Sequence, residues 1–281
     1  MIRAAESVPS SHRLGPSTTP VPRHLGAVER SWPFTVSVLG TPRVFDSQGR
    51  PVEFERSKAL ELVVWLALHR PRCTRSGARH ALWDLPIRDS SFANIVCDAR
   101  RHLAHAAMAP PGTDWIGRCI GDELPLHAHI TTDADLLRHT LRSANAQGDG
   151  VSTAHLRSML GLVRGVPFEG AQYVWADAEG ITSELTMLIV QAAAMVARRC
   201  LDIADVSGVF DATAVGLRVV PRHEELVSLR LRSLHRNGDD AGVREEWAAY
   251  ERALTLDPFT RRPSSKMLAL REELLRRPVS A

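Results

Sequence analysis

Between Ser90 and His105 the chain reads "SSFANIVCDARRHLAH", and the chemistry it offers is hydrogen-bond donation from one side of a helix. Phe92, Ile95, Val96, Ala99 and Leu103 recur at helical spacing and predict a buried stripe. The opposite stripe carries Ser91, Asn94, Asp98, Arg101 and His105, with Arg100 and His102 on its flank. Arginine can donate two hydrogen bonds to guanine, and asparagine can pair with adenine, so these types suit a helix laid against a nucleic acid. They equally suit a solvated helix, and an Asp98 on that stripe would repel a phosphate. Substituting it by alanine would then tighten DNA binding generally.

Catalytic constellations are missing. There is no GxxxxGK[ST] to cradle a nucleotide and no GxSxG nucleophile elbow. "HEELV" begins like a zinc-protease motif but has Val227 where the second histidine should stand. His102 and His105, with Cys97 nearby, lack a third and fourth metal ligand at sensible spacing, as do His127 and His129. The sequence therefore predicts a non-enzyme without metal or cofactor.

The elements that must position the donor helix follow from periodicity. "PFTVSVLG" alternates like a half-buried strand, and "PRVFDSQGRPVEFE" predicts a hairpin around Ser-Gln-Gly-Arg. "RSKALELVVWLALHRP" switches to helical period, with Leu60, Val63, Val64, Ala67 and Leu68 on one face and Pro71 as its stop. Thr74 is placed to cap a second helix, "RSGARHALW", and Asp89, Ser90 or Ser91 to cap the third. "PPGTDWIGRC" and "GDELPLHAHI" then predict a terminal hairpin. From Thr132 onward every apolar pattern is helical. Asp205, Ser207, Gly208 and Val209 echo Asp239, Ala241, Gly242 and Val243 at the tetratricopeptide offset of 34, and "GLRVVP" echoes "ALTLDP", ending at Pro258. Trp175, Tyr173, Trp247 and Tyr250 fall at core-like positions of these hairpins. Arg222 and Glu225 are spaced to pair, and Arg230, Arg232 or Arg236 could meet a partner.

Composition bounds the class. The 281 residues, 44% apolar and 24% charged, suffice for two cores, and a net charge of +3 announces neither nucleic acid nor membrane. Lysine occurs only at Lys58 and Lys266, so the other basic residues are arginines; this looks like genomic codon bias and carries little chemical weight. Cys73, Cys97, Cys119 and Cys200 are widely spaced and predict buried thiols in a reducing compartment. The N-terminal residues lack an apolar signal core, and residues 1–32 read as a disordered tail. "LTMLIVQAAAMVA" is short of the ~20 residues of a membrane span and predicts a buried helix. A cytoplasmic location without a membrane partner is expected.

Sheet, three helices and hairpin followed by helical repeats resembles the bacterial transcriptional activator domain proteins of actinobacterial type, which include the Streptomyces antibiotic regulatory protein family. The likeness runs over about residues 34–277. It rests on the order of "VSVLGTPRVFDSQGRPVEFERSKALELVVWLALHRP", "RHALWDL", "FANIVCDARRHLA", "TDADLL", "GVPFEG", "HEELVSLRLRSLHRNGDDAGVREEWAAYERAL" and "LREELL". The resemblance implies an α+β winged helix-turn-helix domain of the OmpR type over 33–131, then an all-α tetratricopeptide-like domain over 132–278. It implies major-groove reading by the third helix and a DNA-binding set of Arg88, Ser90, Ser91, Asn94, Arg100, Arg101, His105 and, on the wing, Arg118. It further implies homodimers on direct repeats, with RNA polymerase or another protein met by the helical domain. Asp98, and Asp114, Asp122 and Glu123 on the wing, depart from that pattern, and residues 33–131 hold 12 Lys and Arg against 10 Asp and Glu, a net of +2. Two functions therefore stand open: a DNA-binding transcriptional regulator, or a protein-interaction scaffold with a degenerate winged helix.

Overall fold

The computed structural model describes residues 32–147, 150–256 and 262–275. The expected tail up to residue 31, the repeat's closing Pro258 and residues 276–278 lie outside the described residues. A small sheet is followed by a mostly helical body. Strands β1 (Phe34–Ser37) and β2 (Arg43–Asp46) pair antiparallel, with Val36 opposite Val44. β3 (Ile130–Thr132) runs parallel to β1 on its other edge, giving the order β2-β1-β3.

Both expected hairpins form as turns rather than as regular ladders. In the first, Asp46 accepts from the backbone N–H groups of Gln48 and Arg50, and Gly49 takes the left-handed φ of +75°. Pro51, with no N–H to donate, sits opposite Phe45 and limits that arm to a single bridge. In the second, Ile116 pairs with Leu126 and Ile120 with Glu123, and Pro125 interrupts the ladder in the same way. The C-terminal arm also pairs outward: Leu124 N–H donates to Cys73 and Arg75 N–H to Asp122. The strand expected to end the hairpin leaves it at Ile130 and joins the first sheet instead.

Helix α1 (Ser57–Leu68) is more deeply enclosed than a single apolar face predicts. Leu60 and Leu68 are half-buried, whereas Glu61, Leu62, Trp65 and Leu66 are buried, because α1 is packed by α2 (Arg75–Leu82), α3 (Asp89–Ala106), β1 and β3. Buried Glu61 is held by Lys58 at 2.8 Å and by the indole N–H of Trp175 at 3.2 Å. Thr74 caps α2 by accepting from Gly77 N–H at 3.0 Å.

The helical body comprises α4 (Asp133–Gln147), α5 (Thr153–Leu160), α6 (Val174–Ala178), α7 (Ile181–Asp202), α8 (Val206–Val219), α9 (Glu224–Arg236), α10 (Asp240–Thr255) and α11 (Ser265–Leu275). α6 lies inside a stretch whose sequence predicts a loop. Thr132 caps α4 through Asp135 N–H. Among the described residues α7 is the one helix long and apolar enough to cross a membrane, but its apolar side chains pack against α4, α5, α6, α8 and α9. The 34-residue echo has a structural counterpart. Asp205 caps α8 through Gly208 N–H and Asp239 caps α10 through Gly242 N–H, each at 2.8 Å. Trp175, Trp247 and Tyr250 are buried and Tyr173 is half-buried. Glu225 pairs with Arg198 rather than with Arg222, whose guanidinium reaches the Ala253 carbonyl. Arg230 stacks on Phe210 and pairs with Glu246, whereas Arg236, which donates to Leu201, and Arg232 are exposed.

One core runs unbroken from Phe34 through α1, α3, α4 and α7 to Leu229, and a second joins α9, α10 and α11. Glu224 ties the last helix down: it accepts from Tyr250 Oη and Ser264 N, both at 3.0 Å, and from Ser264 Oγ at 2.5 Å. Burial pushes the Glu224 carboxyl up, but these hydrogen bonds outweigh it and hold the pKa below its ordinary 4.5. A lowered carboxylate stabilises fully above its unfolded value and loses that contribution as pH falls through the folded one. Amide protection in α11 is therefore expected to hold from neutral pH down to the ordinary glutamate range, then fall about tenfold below it. Hydrogen exchange with Glu224→Gln as the control, in which that pH dependence should vanish, checks this.

Candidate nucleic-acid interface

Helix α3 buries Phe92, Ile95, Val96, Ala99 and Leu103, the stripe that its spacing predicts. Full burial of each large apolar side chain is worth about 1.5–3 kcal/mol, which fixes the rotation of the helix on α1 and so decides what faces outward. Its N-cap is Arg88, without a side-chain hydrogen bond, rather than Asp89, Ser90 or Ser91. The Asp89 carboxylate instead meets Arg79 at 2.5 Å and Arg75 at 3.4 Å, which joins the start of α3 to α2.

Ser90, Ser91, Asn94, Arg101 and His105 are all exposed, as is Arg88 just before the helix. Cys97 joins the same outer surface, and Cys119 is exposed at the hairpin, so only Cys73 and Cys200 match the expectation of buried thiols. Burial pushes the Cys73 thiol up to about 11. Arg100 is half-buried and turned inward. Its Nε donates to the Ile116 carbonyl at 2.8 Å and its terminal nitrogen to Gly117, so the guanidinium expected at a phosphate fastens the hairpin to α3. Arg118 is exposed on that hairpin, and among the described residues no hydrogen bond or ion pair engages its side chain or that of Arg88.

Asp98 is not on the outer stripe. Its side chain is 4% exposed, because the chain leading into α1 covers that flank of α3. Oδ1 accepts from Arg101 at 2.5 Å and lies 3.4 Å from His102 Nε2, while Oδ2 is buried without a partner. The same Arg101 nitrogen reaches Glu55 at 2.8 Å. Arg101 is thus 60% exposed but clamped between two carboxylates, one from its own helix and one from the segment before α1. Sequence reading missed this clamp. The Asp98–Arg101 spacing was visible, but Glu55 comes from a distant stretch and only the packing of Phe54 beside His102, with ring centroids 5.6 Å apart, brings it in.

Of the three acids that depart from the family pattern on the hairpin, Asp122 has structural work, whereas Asp114 and Glu123 are exposed. Asp122 accepts from Ser76 N at 2.9 Å and from Ser76 Oγ, and these bonds hold its carboxyl below the usual range. The outer surface of α3 and the hairpin carries Arg88, Arg101 and Arg118 as its guanidinium groups, with serine, asparagine and histidine on α3 and the carboxylates of Asp114 and Glu123 on the hairpin.

A similar arrangement is known. EmbR of Mycobacterium tuberculosis, solved in complex with a low-affinity phosphopeptide, superposes with a TM-score of 0.64 over 89% of this chain and 67% of its own, at 19% identity. At that identity the likeness establishes a shared fold. No family model matches the sequence, and a search of curated proteins finds no matching relative.

Proposed function

We propose that the chain is a transcriptional regulator in which residues 33–131 act as a winged helix and α3 reads duplex DNA. The observation that carries this reading is the placement of Ser90, Ser91, Asn94, Arg101 and His105, exposed together on a helix whose other side is anchored in the core. Arg88 and Arg118 then lie where phosphates flank the groove, and Arg100 acts by holding the wing. The resemblance to activator-domain proteins and the fold shared with EmbR support the class. On this reading residues 132–278 mediate dimerisation or contact RNA polymerase, and two copies occupy a repeated site.

Selection of bound duplexes from a random pool tests the proposal, followed by anisotropy of the enriched duplex across a salt series. A repeated motif is expected. With Arg88 and Arg118 unpaired, and Arg101 released on binding, each monomer neutralises two to three phosphates. The log–log salt slope of a bound dimer should then be about −4 to −5, from ~0.9 per phosphate. The scaffold reading is favoured by the engagement of Arg100 and Arg101 within the protein. Absence of enrichment together with a flat salt response would establish it instead.

A further inference from the structure

The clamp around Arg101 has the makings of a cation site. Glu55, Asp98 and His102 each offer one ligand atom, and these atoms all lie within 4.8 Å of one another. Asp98 and His102 are four apart on α3, the spacing that sets two side chains side by side on one helix face. The His102 ring is anchored beside Phe54, and its Nε2 lies 3.4 Å from Asp98 Oδ1 and 3.5 Å from the Glu55 backbone nitrogen, which sets it at the edge of the carboxylate pair. Charge is unbalanced there: two carboxylates share one guanidinium nitrogen. The unpartnered Oδ2 belongs to a side chain that is 4% exposed, and a cation bound there would satisfy it.

We propose that Glu55, Asp98 and His102 form a site for a divalent transition metal of the zinc class, and that filling it expels Arg101 onto the outer face of α3. Two oxygens and one imidazole nitrogen, with water as fourth ligand, suit zinc. Ligand atoms of a tetrahedral zinc stand about 3.4 Å apart, the separation His102 Nε2 and Asp98 Oδ1 already have, so the contraction needed falls on Glu55 and is at most about 1.4 Å. Glu55, two-thirds exposed, can supply that movement. A dication neutralises both carboxylates and can engage Asp98 through both oxygens. It also repels the guanidinium that now lies between them. Arg101, already mostly exposed, then swings free to meet a base edge. The metal site stands by itself, whereas its effect on DNA rests on the α3 reading proposed above.

The test uses the full chain with Cys97 and Cys119 replaced by serine, which removes the exposed thiols as competing zinc ligands. Zn²⁺ is titrated against a chromogenic chelator for this protein and for its Glu55→Gln and His102→Gln variants, with circular dichroism to verify folding. One equivalent per chain is expected, with affinity at least tenfold weaker in each variant. No saturable binding, or binding that both variants leave unchanged, overturns the site. Anisotropy on the enriched duplex in EDTA and in Zn²⁺ forms the second arm, where zinc should tighten binding about tenfold and His102→Gln should abolish the response. Zinc bound at these residues with DNA affinity unchanged overturns the expulsion of Arg101. DNA binding without zinc binding overturns the site and leaves the α3 reading intact. Zinc binding without DNA binding in either condition supports the site and removes the α3 reading together with the regulatory role.

Discussion

Asp133→Ala is expected to lower the unfolding free energy by about 3–5 kcal/mol in a urea titration, more than any substitution on the outer face of α3. Asp133 is 2% exposed at the step from β3 into α4. One carboxylate oxygen accepts from Val38 N and Ala134 N, both at 2.9 Å; the other accepts from Ser37 Oγ at 2.8 Å and Leu39 N at 3.2 Å. Burial pushes its carboxyl up, while Arg164 at 3.4 Å and these donors pull the other way. Alanine would strand buried N–H groups at the end of β1, each costing about 1–3 kcal/mol when left unpaired. Arg164→Ala should cost less, since the guanidinium is 37% exposed and Asp133 keeps its hydrogen bonds from Ser37, Val38, Leu39 and Ala134 when it is removed. Asp133→Asn should fall between them, keeping one acceptor and presenting an amide to the remaining donors. Equal losses for Asp133→Ala and Arg164→Ala would mean that the ion pair, not the hydrogen bonding, holds this junction.

That junction also shows what the sequence could reveal of the fold. The landmarks "VSVLG", "TDADLL" and "GVPFEG" were legible as family-like punctuation, with no hint that they touch. In the structure they meet. Asp133 accepts from the end of the first, and Arg164 N and Phe168 N donate to the carbonyls of Leu39 and Val38. Gly40, at φ +144°, is the residue that allows Arg164 to approach, because a Cβ there would stand 3.1 Å from the Arg164 Cβ. Helix existence was readable because a 3.6-residue apolar period survives in each segment, and the buried stripe of α3 follows from it. The parallel β3 was not readable: Ile130, Thr131 and Thr132 look like the end of a hairpin arm, and only the capture of Asp133 by β1 draws them into the first sheet. The site was half legible for the same reason. Periodicity places side chains on a face of their own helix, so Asn94, Arg101 and His105 came out exposed. It is blind to what covers the flank, so Asp98 was set outside and Arg100 was given to phosphate.

On the proposal that α3 reads DNA, Arg101→Ala is expected to reduce discrimination between the enriched duplex and a scrambled one by about 1–3 kcal/mol, roughly 5–150-fold. Affinity for the scrambled duplex should change by no more than one phosphate contact. Arg101→Lys should not restore discrimination, since an ammonium cannot make the bidentate pair with guanine. The clamp complicates a simple alanine substitution, because it leaves Asp98 buried with His102 as its remaining partner. The variant Asp98→Asn with Arg101→Ala removes that buried charge, and should recover stability while discrimination stays lost. The two readouts then separate a folding defect from a reading defect. Glu55→Gln acts in the opposite direction. Glu55 is 66% exposed, so its pair with Arg101 is worth no more than about 1 kcal/mol, and losing it should tighten specific binding by up to about fivefold. Asp98→Ala, which would relieve phosphate repulsion if the carboxylate faced outward, should now show mainly as lost stability. Discrimination unchanged in Arg101→Ala but reduced in Asn94→Ala would place the reading edge of α3 about two turns nearer its N-terminus, away from the clamp.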